Sequence, residues 1–139
     1  MPYKRYLIVA AIALSLAAQT KETLKARLSA TPADARTRAA LAGSGTASAT
    51  LEGTKLSVTG SFDGLVSPAT SASLHAGVAA GVRGPAIGDL TISKATSGTI
   101  SGSVDLTPDQ LTHLHKGGIY VLINSDKAPE GVLWGWLLP

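Results

Sequence analysis

The densest apolar pattern along the chain falls at its end, Gly117 to Pro139, reading GGIYVLINSDKAPEGVLWGWLLP. Ile119 to Asn124 is β-branched and aromatic on both alternating faces, and Val132 to Leu138 repeats that character after a polar connection from Ser125 to Gly131. Runs of this length and composition predict two strands joined by a seven-residue loop. A strand apolar on both faces belongs in the middle of a packed structure, so the weaker strands are expected around this pair. Trp134 and Trp136 lie two apart and so project from one face of the last strand.

Elsewhere the alternation is one-sided. Leu24, Ala26 and Leu28 alternate with Lys25, Arg27 and Ser29, predicting a half-buried strand that stops at Thr31-Pro32-Ala33-Asp34. The segment from Ala33 to Ala42 is Ala- and Arg-rich, but Gly43-Ser44-Gly45 interrupts it before a third turn, so it reads as a loop with partial helix. Ala47, Ala49 and Leu51, then Leu56, Val58 and Phe62, alternate with Ser and Thr on either side of Glu52-Gly53, predicting a hairpin with one wet face. The small inward residues of its first strand require a close neighbour. Ser71 to Ala76 is a short strand carrying His75, followed by the Gly-rich turn Gly77 to Gly84. Pro85 to Ser93 and Gly98 to Leu106 complete a further hairpin.

One helix stands out, Thr107 to Lys116. Thr107 as N-cap, Pro108 at the first position and Gln110 three after the cap make a capping box, and Gly117-Gly118 ends the helix. About eight short strands, one short helix and frequent turn signals predict an all-β, antiparallel, Greek-key-like β-sandwich rather than a parallel α/β fold.

Residues 1–20, MPYKRYLIVAAIALSLAAQT, interrupt this picture. A basic start, an apolar stretch containing Leu7, Ile8, Val9, Ile12, Leu14 and Leu16, and a small-x-small site at Ser15-Leu16-Ala17 describe an N-terminal hydrophobic signal. Twelve to fourteen helical residues span roughly 20 Å, short of the ~30 Å hydrocarbon core. Tyr3 and Tyr6 beside Lys4 and Arg5 could nevertheless hold such a helix at the cytoplasmic interface. The segment is thus either a cleaved signal peptide or a retained membrane anchor, and both put residues 21–139 in the periplasm or on the extracellular side of the membrane.

Composition narrows the chemistry. The 139 residues suit one domain, and 4% aromatic content makes its core largely Ala, Val, Leu and Ile. With no cysteine, thiolate metal sites, disulfides and cysteine nucleophiles are excluded. The pI of about 9.4 reflects the N-terminal third, because from Ala39 onward five Lys and Arg face seven Asp and Glu. A clustered basic surface with interleaved aromatics, as nucleic acid binding demands, is missing.

The order of short motifs resembles a known family. Gly60-Ser61-Phe62-Asp63-Gly64-Leu65, Ala72-Ser73-Leu74-His75-Ala76-Gly77, Gly84-Pro85, Leu106-Thr107, Gly117-Gly118-Ile119-Tyr120-Val121 and Pro129-Glu130-Gly131 together look like the CHRD domain, named after chordin and common in exported bacterial proteins. The similarity runs from about Leu24 to Leu138 and implies a β-sandwich used for binding or structure, with no established reaction. This chain departs from the family where imidazoles are frequent: Ser73-Leu74-His75 stands in place of His-x-His, and Asn124-Ser125 in place of His-Thr. In the closing motif, Gly131-Val132-Leu133-Trp134-Gly135-Trp136 puts apolar residues at three positions that are usually polar.

Candidate chemistry is correspondingly thin. His113 and His115 are two apart on a helix, about 200° around it, and cannot converge on one ion. His75 is left as a weak metal candidate, and no cofactor is expected. No Gly-x-Ser-x-Gly elbow is present, and the Gly-rich 77–84 turn precedes no helix that would cradle a phosphate. Asp126 and Glu130 share a solvated loop. The chain is therefore expected to be no enzyme. Val132, Trp134 and Trp136 are the candidate interaction residues. Covered by the helix or by the 31–42 loop, the two indoles would be core; exposed, they would offer roughly 300 to 500 Å² of apolar surface, more than monomers usually leave open. The expectation is a non-catalytic accessory subunit docking on a protein partner in a larger membrane complex, of respiratory or photosynthetic type. The alternatives are a periplasmic copper- or zinc-binding protein and a soluble secreted protein with a small ligand.

Overall fold

The computed structural model describes residues 21–139, and the Leu7, Ile8, Val9, Ile12, Leu14 and Leu16 anchor lies outside them. Eight strands form: β1 (Lys21–Ala30), β2 (Ser44–Glu52), β3 (Lys55–Asp63), β4 (Ala69–Ala76), β5 (Ala86–Ile92), β6 (Gly98–Asp105), β7 (Ile119–Ser125) and β8 (Leu133–Trp136). One helix, α1 (Pro108–His115), lies between β6 and β7, and a single 3-10 turn spans Arg38–Ala40. Every pairing is antiparallel.

The strand order β1-β2-β3-β6-β5-β4-β7-β8 returns to β1, so the sheet closes on itself. Two strands make the corners. The first eight residues of β1 pair with β2, whereas Ser29 and Ala30 pair with Leu133 and Trp134 of β8. On the opposite side, β5 pairs with β4 through Ala86 to Leu90 and with β6 through Thr91 and Ile92. The two layers of the expected sandwich are thereby joined at both margins by two-residue pairings. Within this ring β3 lies beside β6 and β4 to β6 run as a meander, which is Greek-key connectivity.

Alternation explains which side of each strand faces inward. Leu24, Ala26 and Leu28 of β1, Ala47, Ala49 and Leu51 of β2, and Leu56, Val58 and Phe62 of β3 are all buried in one core with Leu74, Ile100, Ile119, Val121, Ile123, Leu133 and Leu137. The alanines on β1 and β2 let the layers approach closely, as their size required. Each fully buried Leu or Ile contributes about 1.5–3 kcal/mol relative to an exposed one.

The helix caps one end of the barrel. Thr107 Oγ1 accepts from the Gln110 N–H at 3.2 Å while Gln110 Oε1 accepts from the Thr107 N–H at 3.0 Å, completing the capping box. At its other end Gly118 N–H donates to His113 O and Gly117 N–H to Leu114 O, a Schellman turn that places Gly117 at φ +75°. Leu114 is sealed against the core and Leu111 half-buried, so α1 is held by a narrow apolar stripe. Among the described residues no helix is long and apolar enough to cross a membrane.

Candidate functional site

β7 is buried on both faces, but the two faces differ in what covers them. Ile119, Val121 and Ile123 point into the barrel; Tyr120 and Leu122 point out and are nevertheless 1% and 7% exposed. Register accounts for this. Tyr120 stands opposite Trp136 and Leu122 opposite Trp134 on β8, while on β4 His75 stands opposite Tyr120 and Ser73 opposite Leu122. The outer face of this layer is thus an aromatic cluster.

Tyr120 is its centre. The His75 ring stacks on it at 5.0 Å with 20° between planes, Trp136 packs at 4.8 Å, and Trp134 meets it edge-on at 6.2 Å. Trp134 and Trp136 also touch, at 4.8 Å and 62°. Aromatic pairs of this geometry contribute about 0.5–1.5 kcal/mol each beyond the area they bury. The guanidinium of Arg83 sits 4.5 Å above the Trp134 ring, a cation–π contact.

Arg83 reaches this position because the loop between β4 and β5 folds back over Tyr120. Gly77 N–H donates to Gly118 O at 2.8 Å, Ala76 N–H to Pro85 O at 3.0 Å, and His113 Nδ1 to Gly77 O at 2.7 Å. Gly84 N–H donates to the Tyr120 hydroxyl at 3.1 Å, and that hydroxyl donates in turn to Gly84 O at 3.2 Å. Gly84 has to be glycine, since a Cβ would collide with the Ala76 carbonyl. The same Gly84 oxygen accepts from His75 Nδ1 at 2.9 Å, which fixes the proton on that nitrogen and leaves Nε2 to accept from the Ser73 hydroxyl, also at 2.9 Å.

The sequence-predicted site residues separate. Trp134 and Trp136 share the outer face, half-buried, with Arg83 of the 77–85 loop over the Trp134 ring. Val132 does not join them. It is 0% exposed, precedes β8, and packs in the core with Leu133. The chain bends at Val132 and β8 begins only at Leu133, so the two-residue alternation of Trp134 and Trp136 does not reach back to it. His75 serves as a plate against Tyr120, with both ring nitrogens engaged. His113 faces Gly77, and His115 meets the Glu22 carboxylate at 3.1 Å on the surface, so the three imidazoles are held apart by separate partners. Among the described residues no three His, Asp or Glu side chains gather around a point that would suit a metal ion.

Tyr120, Arg83 and Leu122 enter the face unannounced. Tyr120 and Leu122 alternate on β7 as Trp134 and Trp136 do on β8, and matching the two strands in antiparallel register would have paired them. Nothing in the residues around Arg83 signals that its loop would fold back.

One polar feature of the face is unresolved internally. Trp136 Nε1 is shielded from solvent and has no acceptor among the described residues. A buried donor left this way costs about 1–3 kcal/mol.

Beside the face lies a groove of about 260 Å³ between the 31–41 segment and the 127–131 loop, with Arg83 at its margin. Thr31 ties its floor, donating from Oγ1 to Gly131 O at 2.9 Å and from its N–H to Val132 O at 3.0 Å. Asp34 organises the outer wall by accepting from the N–H groups of Arg36 and Thr37 at 2.8 and 3.0 Å. Those bonds, that from Thr37 first, hold the Asp34 carboxyl below the usual Asp range.

An antiparallel closed sheet with one capping helix and an aromatic outer face defines a small all-β module. The CHRD domain model matches residues 22–137, and the chain belongs to that family. No curated protein matches the chain in sequence.

Proposed function

We propose that this CHRD module is a non-catalytic, extracytoplasmic binding subunit that docks through its outer aromatic face on a larger membrane protein complex. The observation carrying this reading is the pair Trp134 and Trp136, half-buried on the outside of a closed barrel whose interior is filled without them. Tryptophans that only stabilise a small domain belong in its core, whereas indoles left partly open in a rigid aromatic cluster are the residue type that anchors protein interfaces. The N-terminal hydrophobic segment supplies the membrane side of the proposal, as a retained anchor or as the signal that exports the domain.

The test is a double substitution, Trp134→Ala with Trp136→Ala, in the full chain expressed in its own host. Losing the aromatic contacts should lower the melting temperature by several degrees, about what 1–3 kcal/mol removes from a domain of this size. Below that melt, the variant should no longer copurify with the membrane partner that accompanies the wild type in gentle detergent. A folded double variant that retains its partner would overturn the reading.

A further inference from the structure

The groove beside the aromatic face has a chemical character of its own. Pro32, Leu41 and Pro129 give it apolar walls, and Arg83 and Lys127 stand at its margin with Glu130 as the single acid. Among the described residues the ion pairs are Lys21 with Glu52 and His115 with Glu22, so neither Arg83 nor Lys127 is matched to a carboxylate. Arg36 and Arg38, exposed and adjacent in sequence to the lining residue Thr37, add positive charge to this side of the molecule, while the Asp34 carboxylate is engaged by its own loop.

Arg83 is the informative residue. Stacking over the Trp134 ring takes up one face of the guanidinium and leaves its N–H edges unengaged by any side-chain acceptor among the described residues. A guanidinium resting over a ring has already lost part of its side-chain freedom, so pairing it with a carboxylate costs less ordering than pairing a free surface arginine. A volume of about 260 Å³ lies just under the range of small-molecule pockets, about 300–1,000 Å³, and suits a short stretch of chain.

We propose that this groove takes an acidic, apolar-flanked peptide segment of the docking partner, with a side-chain carboxylate on Arg83 and a second charge near Lys127. The assignment rests on the docking function proposed above and specifies its partner: a protein presenting Asp or Glu between small apolar residues beside the surface that meets the two tryptophans. Charge complementarity selects that occupant, since the groove combines apolar walls with two unmatched cations and a single acid.

Because Arg83 lies on one of only two tryptophans, the protein reports its own binding. The probe is an acetylated, amidated peptide, Leu-Asp-Glu-Leu-Pro, titrated into the full chain and followed by tryptophan fluorescence and calorimetry; its Leu-Asn-Gln-Leu-Pro counterpart is the control. The acidic peptide should bind and shift the emission, and the neutral one should bind at least about tenfold more weakly. Raising the salt from about 50 to 500 mM should weaken the acidic peptide several-fold, because the Debye length contracts from beyond 10 Å toward a few ångström. Arg83→Gln should weaken it about tenfold, Lys127→Gln by a smaller factor, and Glu130→Gln should tighten it. Equal binding of both peptides, absence of binding, or an unchanged affinity in Arg83→Gln would each refute the assignment. Membrane copurification separates the two proposals. If Arg83→Gln keeps a partner that the double tryptophan variant loses, the groove assignment falls and docking stands; if the double variant keeps its partner while the peptide still binds at Arg83, docking falls and the groove stands.

Discussion

The barrel has two outer faces in one closed sheet, and they could hardly be less alike. On β2, β3 and β6 the outward positions form a grid of hydroxyls: Thr46, Ser61 and Thr99 in one row, Ser48, Thr59 and Ser101 in the next, Thr50, Ser57 and Ser103 in the third. All but half-buried Thr50 are exposed. On β4, β7 and β8 the corresponding positions hold His75, Tyr120, Leu122, Trp134 and Trp136, with a loop folded over them. Inward residues on both sides serve a single core, so the difference lies outside it. A sheet needs one apolar face, and a hydroxyl face is what solvent ordinarily selects for the other. The second apolar layer on β7 and β8 is surplus to that requirement, and the proposed docking rests on it.

The largest expected effect tests whether the faces share one foundation. Leu74 is 0% exposed and lies on β4, whose outward neighbours Ser73 and His75 belong to the aromatic side. Leu74→Ala should cost about 2–5 kcal/mol. Because its core also receives Leu56, Val58 and Ile100 from the hydroxyl side, amides of β3 and β7 should lose hydrogen-exchange protection together. Loss confined to β4 and β7 would mean that the closed sheet behaves as two separable layers.

A smaller effect should be restricted to the aromatic side. Tyr120→Phe keeps the ring stack and removes the hydroxyl that accepts from Gly84 N–H and donates to Gly84 O. Stability should fall by about 1–2 kcal/mol, within the range for a buried hydrogen bond and its stranded partner. Amides from 77 to 84 should exchange faster at temperatures where β2 and β3 remain unaffected. If protection of that loop stays at its wild-type level, the bond from Gly77 N–H to Gly118 O and that from His113 to Gly77 O hold it without Tyr120.

How far each face was legible follows from the same contrast. The hydroxyl side could be read almost residue by residue, since Ala47, Ala49 and Leu51 against Thr46, Ser48 and Thr50 is a period-two pattern with one wet face, and α1 announced itself through Thr107, Pro108, Gln110 and Gly117. The Trp pair was legible as a shared face for the same reason. Val132 was misplaced because a period-two argument assumes unbroken extended backbone, and the chain bends at Val132 before β8 starts. Closure of the sandwich was hidden because it depends on β1 and β5 changing partners midway, a property of the layers' geometry and not of either strand's composition. Arg83 was hidden most deeply. Its role arises from a loop held by Tyr120, His75 and His113, three residues brought to it by the fold, so no local pattern encodes it.

The smallest effect is expected where the comparison is most easily broken. Thr59 sits at the middle of the hydroxyl grid, exposed, opposite Ser48 on one side and Ser101 on the other. If that face meets only water, Thr59→Lys should change stability by less than about 0.5 kcal/mol, since a lysine stem can lie along the strand with its ammonium in solvent. Copurification with the membrane partner should be untouched, in contrast to the loss expected of the double tryptophan variant. A lysine in the centre of a flat docking surface would instead place an unpaired charge in the contact and abolish it. Partner loss in Thr59→Lys at an unchanged melting temperature would therefore move the interface to the opposite side of the barrel, and the aromatic layer would be left as a device for fixing the 77–85 loop.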